Sequence, residues 1–245
     1  MTSTTRDNWE QHWTEYNKSA EENPAQKYRR ELIFSLLGSQ GSGQGMRILD
    51  IGSGTGLLML MLAQKQDGII EGIEIDPNCF QQLQENIEQS KWTNRIFVHH
   101  GDVRNFQPKI KYDFIISNPP FHENSLSSPL SAANLARHST ELKLEELIIE
   151  MDRLLHDDGA FAVLLPYYRS AYFEVLAKQK IFHLVEKLLV KQSPNHKYFR
   201  SILSYSRTPS IKPVEKELVI QNESREYTND FIELLKDYYL FLQEG

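Results

Sequence analysis

The chain has 245 residues, enough for one large domain or one domain with small additions. Its hydrophobic content of 40% and charged content of 24% are those of a soluble globular protein, and a net charge of −6 argues against a dedicated non-specific nucleic-acid binder, which would be basic. Cys79 is the only cysteine, so no intrachain disulfide can form. No apolar run reaches the ~18 residues of a membrane span, and "MTSTTRDNWEQHW" has no apolar signal-peptide core. Together these features predict a cytoplasmic protein.

Residues 1–45 are polar and end in "GSQGSGQG"; they read as an N-terminal helical extension. Within them, "QKYRRELIFSLLG" predicts an amphipathic helix with Leu32, Ile33, Leu36 and Leu37 on one side and Gly38 as its stop. Trp9, Trp13 and Tyr16 fall at helical spacing and read as packing. From residue 46 to 245 the rhythm is that of one domain. "MRILDIG" is a strand and "LLMLMLAQKQ" a helix. "IIEGIEID" is a second strand, and "PNCFQQLQENIEQS" a helix with Pro77 in its first turn. "RIFVHHGD" and "YDFIISNPP" are the third and fourth strands. "TELKLEELIIEMDRLLHDDG" predicts a long amphipathic helix with Gly159 just past its end. "AFAVLLP" is a fifth strand and "YFEVLAKQK" a helix. "FHLVEKLLVKQ" and "FRSILSYSRT" are strands, "KELVI" a short edge strand, and "TNDFIELLKDYYLFL" a closing helix. Strands alternating with helices at this spacing imply an α/β fold with a mostly parallel, doubly wound sheet and helices on both faces.

Gly52, Gly54 and Gly56 in "ILDIGSGTG" form a G-x-G-x-G loop between the first strand and the first helix. Glycine suits a tight turn that a ligand must approach closely, and in an open sheet the crevice at the carboxyl ends of the strands is the binding site. The spacing is not the G-x-G-x-x-G of dinucleotide binders. Asp50 is a poor neighbour for phosphate but a good one for a cationic ligand. Glu74 ends the second strand, where a carboxylate can accept both ribose hydroxyls. Asp102 ends the third, where an acceptor can meet an adenine amino group; a turn-forming aspartate is the plainer alternative. Ribose, adenine and positive charge together describe S-adenosyl-L-methionine.

The pattern resembles the class I methyltransferases, a Rossmann-like fold with a seven-stranded sheet. The resemblance implies a cofactor set of Asp50, Gly52, Ser53, Gly54, Gly56, Glu74, Ile75, Asp102, Val103 and Asn118. In it Asp50 and the glycine loop face the methionine part, Glu74 holds the ribose, Ile75 flanks the adenine and Asp102 takes its N6. No metal is implied. "NPPF", Asn118 to Phe121, resembles the (Asn/Asp)-Pro-Pro-(Tyr/Phe) motif of enzymes that methylate planar amino groups, and makes Asn118, Pro119, Pro120 and Phe121 the catalytic candidates. An amine conjugated to a ring is a poor nucleophile. The Asn118 side-chain carbonyl and the Pro119 backbone carbonyl can each accept one of its N–H groups and so aim the lone pair. The prolines fix φ, and Phe121 offers a face for stacking. His122 reads as a hydrogen-bonding neighbour rather than a required base.

Adenine N6, guanine N2 and the glutamine side-chain amide are all substrates of enzymes with this motif, and a small-molecule amine remains a further reading. "ILDIGSGTGLLMLMLAQ", "DFIISNPPF", "ARHS" and "YTNDFIELLKDYYLFL" resemble the bacterial adenine-N6 methyltransferases that modify valine tRNA beside its anticodon, over roughly residues 46–242. The first 45 residues do not match that family. On this resemblance Phe121, His122, Arg137 and His138 belong beside the target base; a helix flank capped by Ser139 or Thr140 is the alternative for the last two. The partner is then tRNA, met by a basic C-terminal half. Between Ala160 and Lys212, nine Lys and Arg residues, Lys197 and Arg200 among them, stand against Glu174 and Glu186, a local excess of +7.

Overall fold

The computed structural model describes residues 45–119, 142–209 and 212–235. The first predicted strand is β1 (Arg47–Ile51), and α1 (Leu57–Lys65), β2 (Ile69–Glu74), α2 (Pro77–Glu88), β3 (Ile96–His100) and β4 (Tyr112–Ser117) follow as expected. Next come α3 (Leu144–Leu154), β5 (Leu155–Pro166), α4 (Ser170–Gln179), β6 (His183–Lys191), β7 (Tyr198–Ser206), β8 (Val214–Val219) and α5 (Asn229–Leu235). The expected helices over Trp9–Tyr16 and Leu32–Leu37 lie outside the described residues.

One sheet runs in the order β3-β2-β1-β4-β5-β7-β6-β8. It has eight strands, not seven, because "KELVI" pairs parallel to β6 along its whole length. The β7 strand is antiparallel to both β5 and β6, so the sheet is mixed at that end. Connections leave β1 toward β2 on one side, and β4 lies on the other. The switch in strand order between β1 and β4 opens the crevice in which such sheets bind ligands.

The helices cover both faces. On one, Leu57 to Ala63 of α1 are all buried, as a helix apolar all round must be, and pack with Leu83 and Ile87 of α2 and Phe231 and Leu235 of α5. Gly72 in β2 lets α1 come this close, since a Cβ there would run into the Met59 and Ser53 side chains. On the other face, Leu147, Ile148 and Met151 of α3 and Phe173 and Ala177 of α4 bury Leu49, Ile115, Phe161 and Tyr205.

The helix predicted to stop at Gly159 ends at Leu154. Leu155 pairs with Tyr112 and Ala160 with Phe114, so residues 156–159 loop out of the ladder between them. The apolar pattern runs straight through Leu154 and Leu155; strand pairing, which is non-local, decides where the helix stops.

The end of α4 carries strain. Phe182 N–H donates to Ala177 O (3.0 Å) and Ile181 N–H to Lys178 O (3.1 Å), the two bonds of a Schellman cap. That cap requires a left-handed residue, and Ile181 supplies it at φ 60° while 74% exposed. A β-branched residue there costs about 1–2 kcal/mol, against roughly 0.5–1 kcal/mol of extra backbone entropy that glycine loses on folding. Ile181→Gly is therefore expected to raise the thermal midpoint by about 2 °C, as read by calorimetry. A lowered midpoint would mean that Ile181 makes a contact outweighing its strain.

Candidate active site

Four adjacent parallel strands end at one rim. Ile51 pairs with Ile73 and Ser117, and Glu74 with His100, which brings the ends of β3, β2, β1 and β4 side by side. The residues that follow are the glycine loop, the Glu74–Asp76 turn, Asp102 and Asn118.

The glycine loop needs its glycines. Gly52, Gly54 and Gly56 have φ of 74°, 55° and 88°. A Cβ on Gly52 would meet nothing within 4 Å, so that position is open toward a ligand, whereas one on Gly56 would strike the Leu83 side chain. Gly56 is thus demanded by the packing of α1 on α2, and Gly52 by its backbone angle alone. The loop is tied to β2 by Gly52 N–H and Ser53 N–H, both donating to Ile73 O (2.9 and 3.2 Å). Below it, Asp50 is fully buried and its backbone carbonyl accepts from Ser53 Oγ (2.9 Å).

Glu74 is the centre of this frame. Its carboxylate is only 7% exposed and accepts from Gly54 N–H (2.7 Å) and Asp76 N–H (2.8 Å), one bond to each oxygen. A carboxylate has about four lone-pair sites, so each oxygen keeps one for a ligand donor. Asp76 caps α2 by accepting from Asn78 and Cys79 N–H (both 2.9 Å). Ile75, beside it, is exposed, and Val103 is buried. An open, positive-φ glycine loop beside a fixed buried carboxylate fits the ribose and amino-acid parts of S-adenosylmethionine.

Ser117 Oγ donates to Ile51 O (2.8 Å) and locks the end of β4 onto β1. Asn118 follows, half-buried, and then Pro119, buried. Pro120, Phe121, His122, Arg137 and His138 lie outside the described residues.

The family model for the methyltransferase small domain matches residues 31–164, starting upstream of the domain start at 46 expected from the sequence. A tRNA1(Val) (adenine(37)-N6)-methyltransferase of Parabacteroides distasonis is 36% identical over 208 residues, 84% of this chain and 88% of that one. One from Dyadobacter fermentans is 40% identical over 199 residues, 79% of this chain and 82% of its own. The chain belongs to the family of these tRNA1(Val) (adenine(37)-N6)-methyltransferases. Among solved structures, a predicted O-methyltransferase from Agrobacterium tumefaciens superposes with a TM-score of 0.65 at 16% identity, covering 84% of this chain and 95% of its own. The TYW2 protein of Pyrococcus horikoshii, in complex with MeSAdo, does so at 0.51 and 18%, covering 76% and 64%. At these identities the likeness shows the class I methyltransferase fold and nothing finer.

In this member of the family Asp102 is also engaged by a side chain, Arg104, that the sequence reading did not include. Its carboxylate accepts from Arg104 N–H (2.9 Å), which caps the short turn Val103–Asn105, and from Arg104 Nε and Nη2 (2.9 and 2.6 Å). Arg104 also reaches Glu146 of α3 (3.1 Å). The turn-forming role foreseen as the plainer alternative is present. The Arg104 side-chain bond is the main reason the Asp102 pKa lies below its ordinary 3.8, partly offset by burial. A depressed carboxylate stabilises the fold above its unfolded pKa and loses that contribution as pH falls through the folded value. The stability difference between wild type and Asp102→Asn is therefore expected to shrink as pH drops below 3.8. Urea midpoints measured from about pH 6 down to about pH 3 read this out; a constant difference would exclude the ion pair as its source.

Four of the nine cations of the basic segment are held in ion pairs. Arg207 and Lys180 pair with Asp152 (2.8 and 3.3 Å), Lys187 with Glu174 (2.7 Å) and Lys191 with Glu217 (3.0 Å). Asp152 and Glu217 lie outside the segment, so its local charge is smaller than the +7 counted along the chain. Lys197 is exposed before β7, and Arg200 sits half-buried in its first turn of ladder, opposite Pro166 of β5. Sequence reasoning counted Arg169 in the basic segment but missed Tyr167 and Tyr168, which share this rim with it; their signal was position, directly after the strand "AFAVLLP". Among the described residues no group of three or more His, Cys, Asp or Glu could hold a metal, and no helix is long and apolar enough to cross a membrane.

Proposed function

We propose that this protein methylates the exocyclic N6 of an adenine in tRNA, using S-adenosyl-L-methionine. The observation that carries the reading is Asn118-Pro119 standing directly after β4, with Ser117 bound to the end of β1 where the glycine loop begins. The relatives named above, which cover most of the chain, support adenine and tRNA over the guanine, glutamine and small-molecule alternatives.

Bound S-adenosylmethionine supplies an electrophilic methyl group on a sulfonium. The chain's own part is positioning. Glu74 accepts the ribose hydroxyls with the lone pairs left by Gly54 and Asp76, while Asp50 and the loop from Gly52 to Gly56 face the methionine end. Ile75 and Val103 border the adenine, and Asp102, oriented by Arg104, is an acceptor for its amino group. The Asn118 side-chain carbonyl and the Pro119 carbonyl each accept one N–H of the target amine, which directs its lone pair at the methyl. Phe121 stacks on the base, with His122, Arg137 and His138 beside it. The methylated amine is cationic and loses its proton to water, so no strong base is needed.

The test is to incubate the protein with methyl-labelled S-adenosylmethionine and total tRNA, digest to nucleosides and separate them. Label is expected in N6-methyladenosine. Label in N2-methylguanosine, or in protein alone, would overturn the assignment.

A further inference from the structure

We infer that the rim segment Tyr167–Arg169, with Tyr198 beside it, is a stacking platform for the RNA nucleotides that flank the methylated base; the inference rests on the RNA-directed function proposed above. The register puts it there. Ser117 pairs with Val163, and β5 continues to Pro166. At ~3.3 Å per residue, β5 therefore runs about 10 Å past the end of β4, one strand over from Asn118. The antiparallel β7 returns Arg200 opposite Pro166, and Tyr198 begins that strand.

The side chains there are flat rings alternating with cations. The Tyr167 and Tyr198 rings lie 5.4 Å apart at 50°. Tyr168 is 64% exposed, far more than a ring contributing to the core, and the Arg169 guanidinium sits 5.5 Å from its centroid. Arg200 lies 5.7 Å from the Phe199 ring, and Lys197 is exposed one residue before β7. Glu217 accepts from Tyr198 Oη (2.5 Å) and pairs with Lys191, which fixes the Tyr198 ring; Lys197 is exposed beside it, and Arg169, also exposed, lies within electrostatic reach of Glu145. Exposed aromatic faces interleaved with guanidinium and ammonium groups are the chemistry of single-stranded nucleic-acid binding: bases stack and the cations follow the backbone. An acidic peptide could use the cations, but it lacks the base at every position that successive exposed rings are suited to stack on.

Steady-state kinetics of the full chain on tRNA separate the possibilities. Tyr168→Ala is expected to raise KM for tRNA by roughly tenfold, the share of one base–aromatic stack, with the loss falling on KM rather than kcat. Tyr168→Phe, which keeps the face and drops the hydroxyl, should restore the wild-type KM, and S-adenosylmethionine affinity and thermal midpoint should not change in either. An unchanged KM in Tyr168→Ala, an equal loss in Tyr168→Phe, or competition by an acidic peptide as strong as by an RNA oligonucleotide would each overturn the platform while the wild type still labels adenosine. A wild type that labels no RNA nucleoside sinks the proposed function itself.

Discussion

Asn118→Ala is expected to lower kcat for methyl transfer by roughly 10²–10³-fold, the usual cost of deleting one preorganised acceptor or donor at a reacting centre. The affinity for S-adenosylmethionine should fall far less, by a few-fold at most, because Asn118 borders the cofactor but spends its amide on the substrate amine, in a bond that strengthens only as that amine becomes cationic. Both described neighbours of the position are held without the amide. Ser117 Oγ holds the end of β4 to Ile51 O, and Pro119 is buried beyond it, so both neighbours stay in place. Asn118→Asp separates this account from a steric one. It keeps a carboxyl oxygen where the amide carbonyl was and should retain far more activity than alanine. Calorimetric titration of the cofactor and single-turnover transfer to tRNA measure the two quantities independently. Survival of transfer in the alanine variant would remove Asn118 from its role.

The crevice was legible in the sequence because its parts are local. A five-residue apolar strand, a glycine loop and a helix apolar on every side announce β1 and α1 without knowledge of the rest. Glu74, Asp102 and Asn118 could be placed on this rim for the same reason, since each lies at, or within two residues of, the end of its strand. What could not be read depended on pairing across the sheet. Leu155 enters a strand only because Tyr112 is there to receive it, so the helix end was placed too late. The charge excess after residue 160 was counted along the chain, yet Asp152 and Glu217, which pair with Lys180, Arg207 and Lys191, lie outside that stretch. Tyr167 and Tyr198 are 31 residues apart and meet only through the β5–β7 register. Arg104 is the exception: two residues from Asp102, it was open to a local reading.

Glu74→Ala should weaken S-adenosylmethionine binding by roughly 100-fold. Two charge-assisted hydrogen bonds to the ribose at about 1.5–3 kcal/mol each set the scale, tempered because such terms are rarely additive. The substitution also acts on the protein alone. The carboxylate is the shared acceptor of Gly54 N–H and Asp76 N–H, so alanine releases the middle of the glycine loop and the turn before α2 together. Ile73 O still holds Gly52 and Ser53, and Asp76 still caps α2, which confines the change to the crevice. Amide hydrogen exchange without ligand therefore resolves the two contributions. Faster exchange at Gly54 and Asp76 reports the lost strut, and the affinity loss reports the ribose. Glu74→Gln keeps an acceptor oxygen for one of the two amides and should fall between wild type and alanine in both measurements. If exchange accelerates while cofactor affinity stays at the wild-type value, Glu74 is a brace for the loop and the ribose must be held by another group.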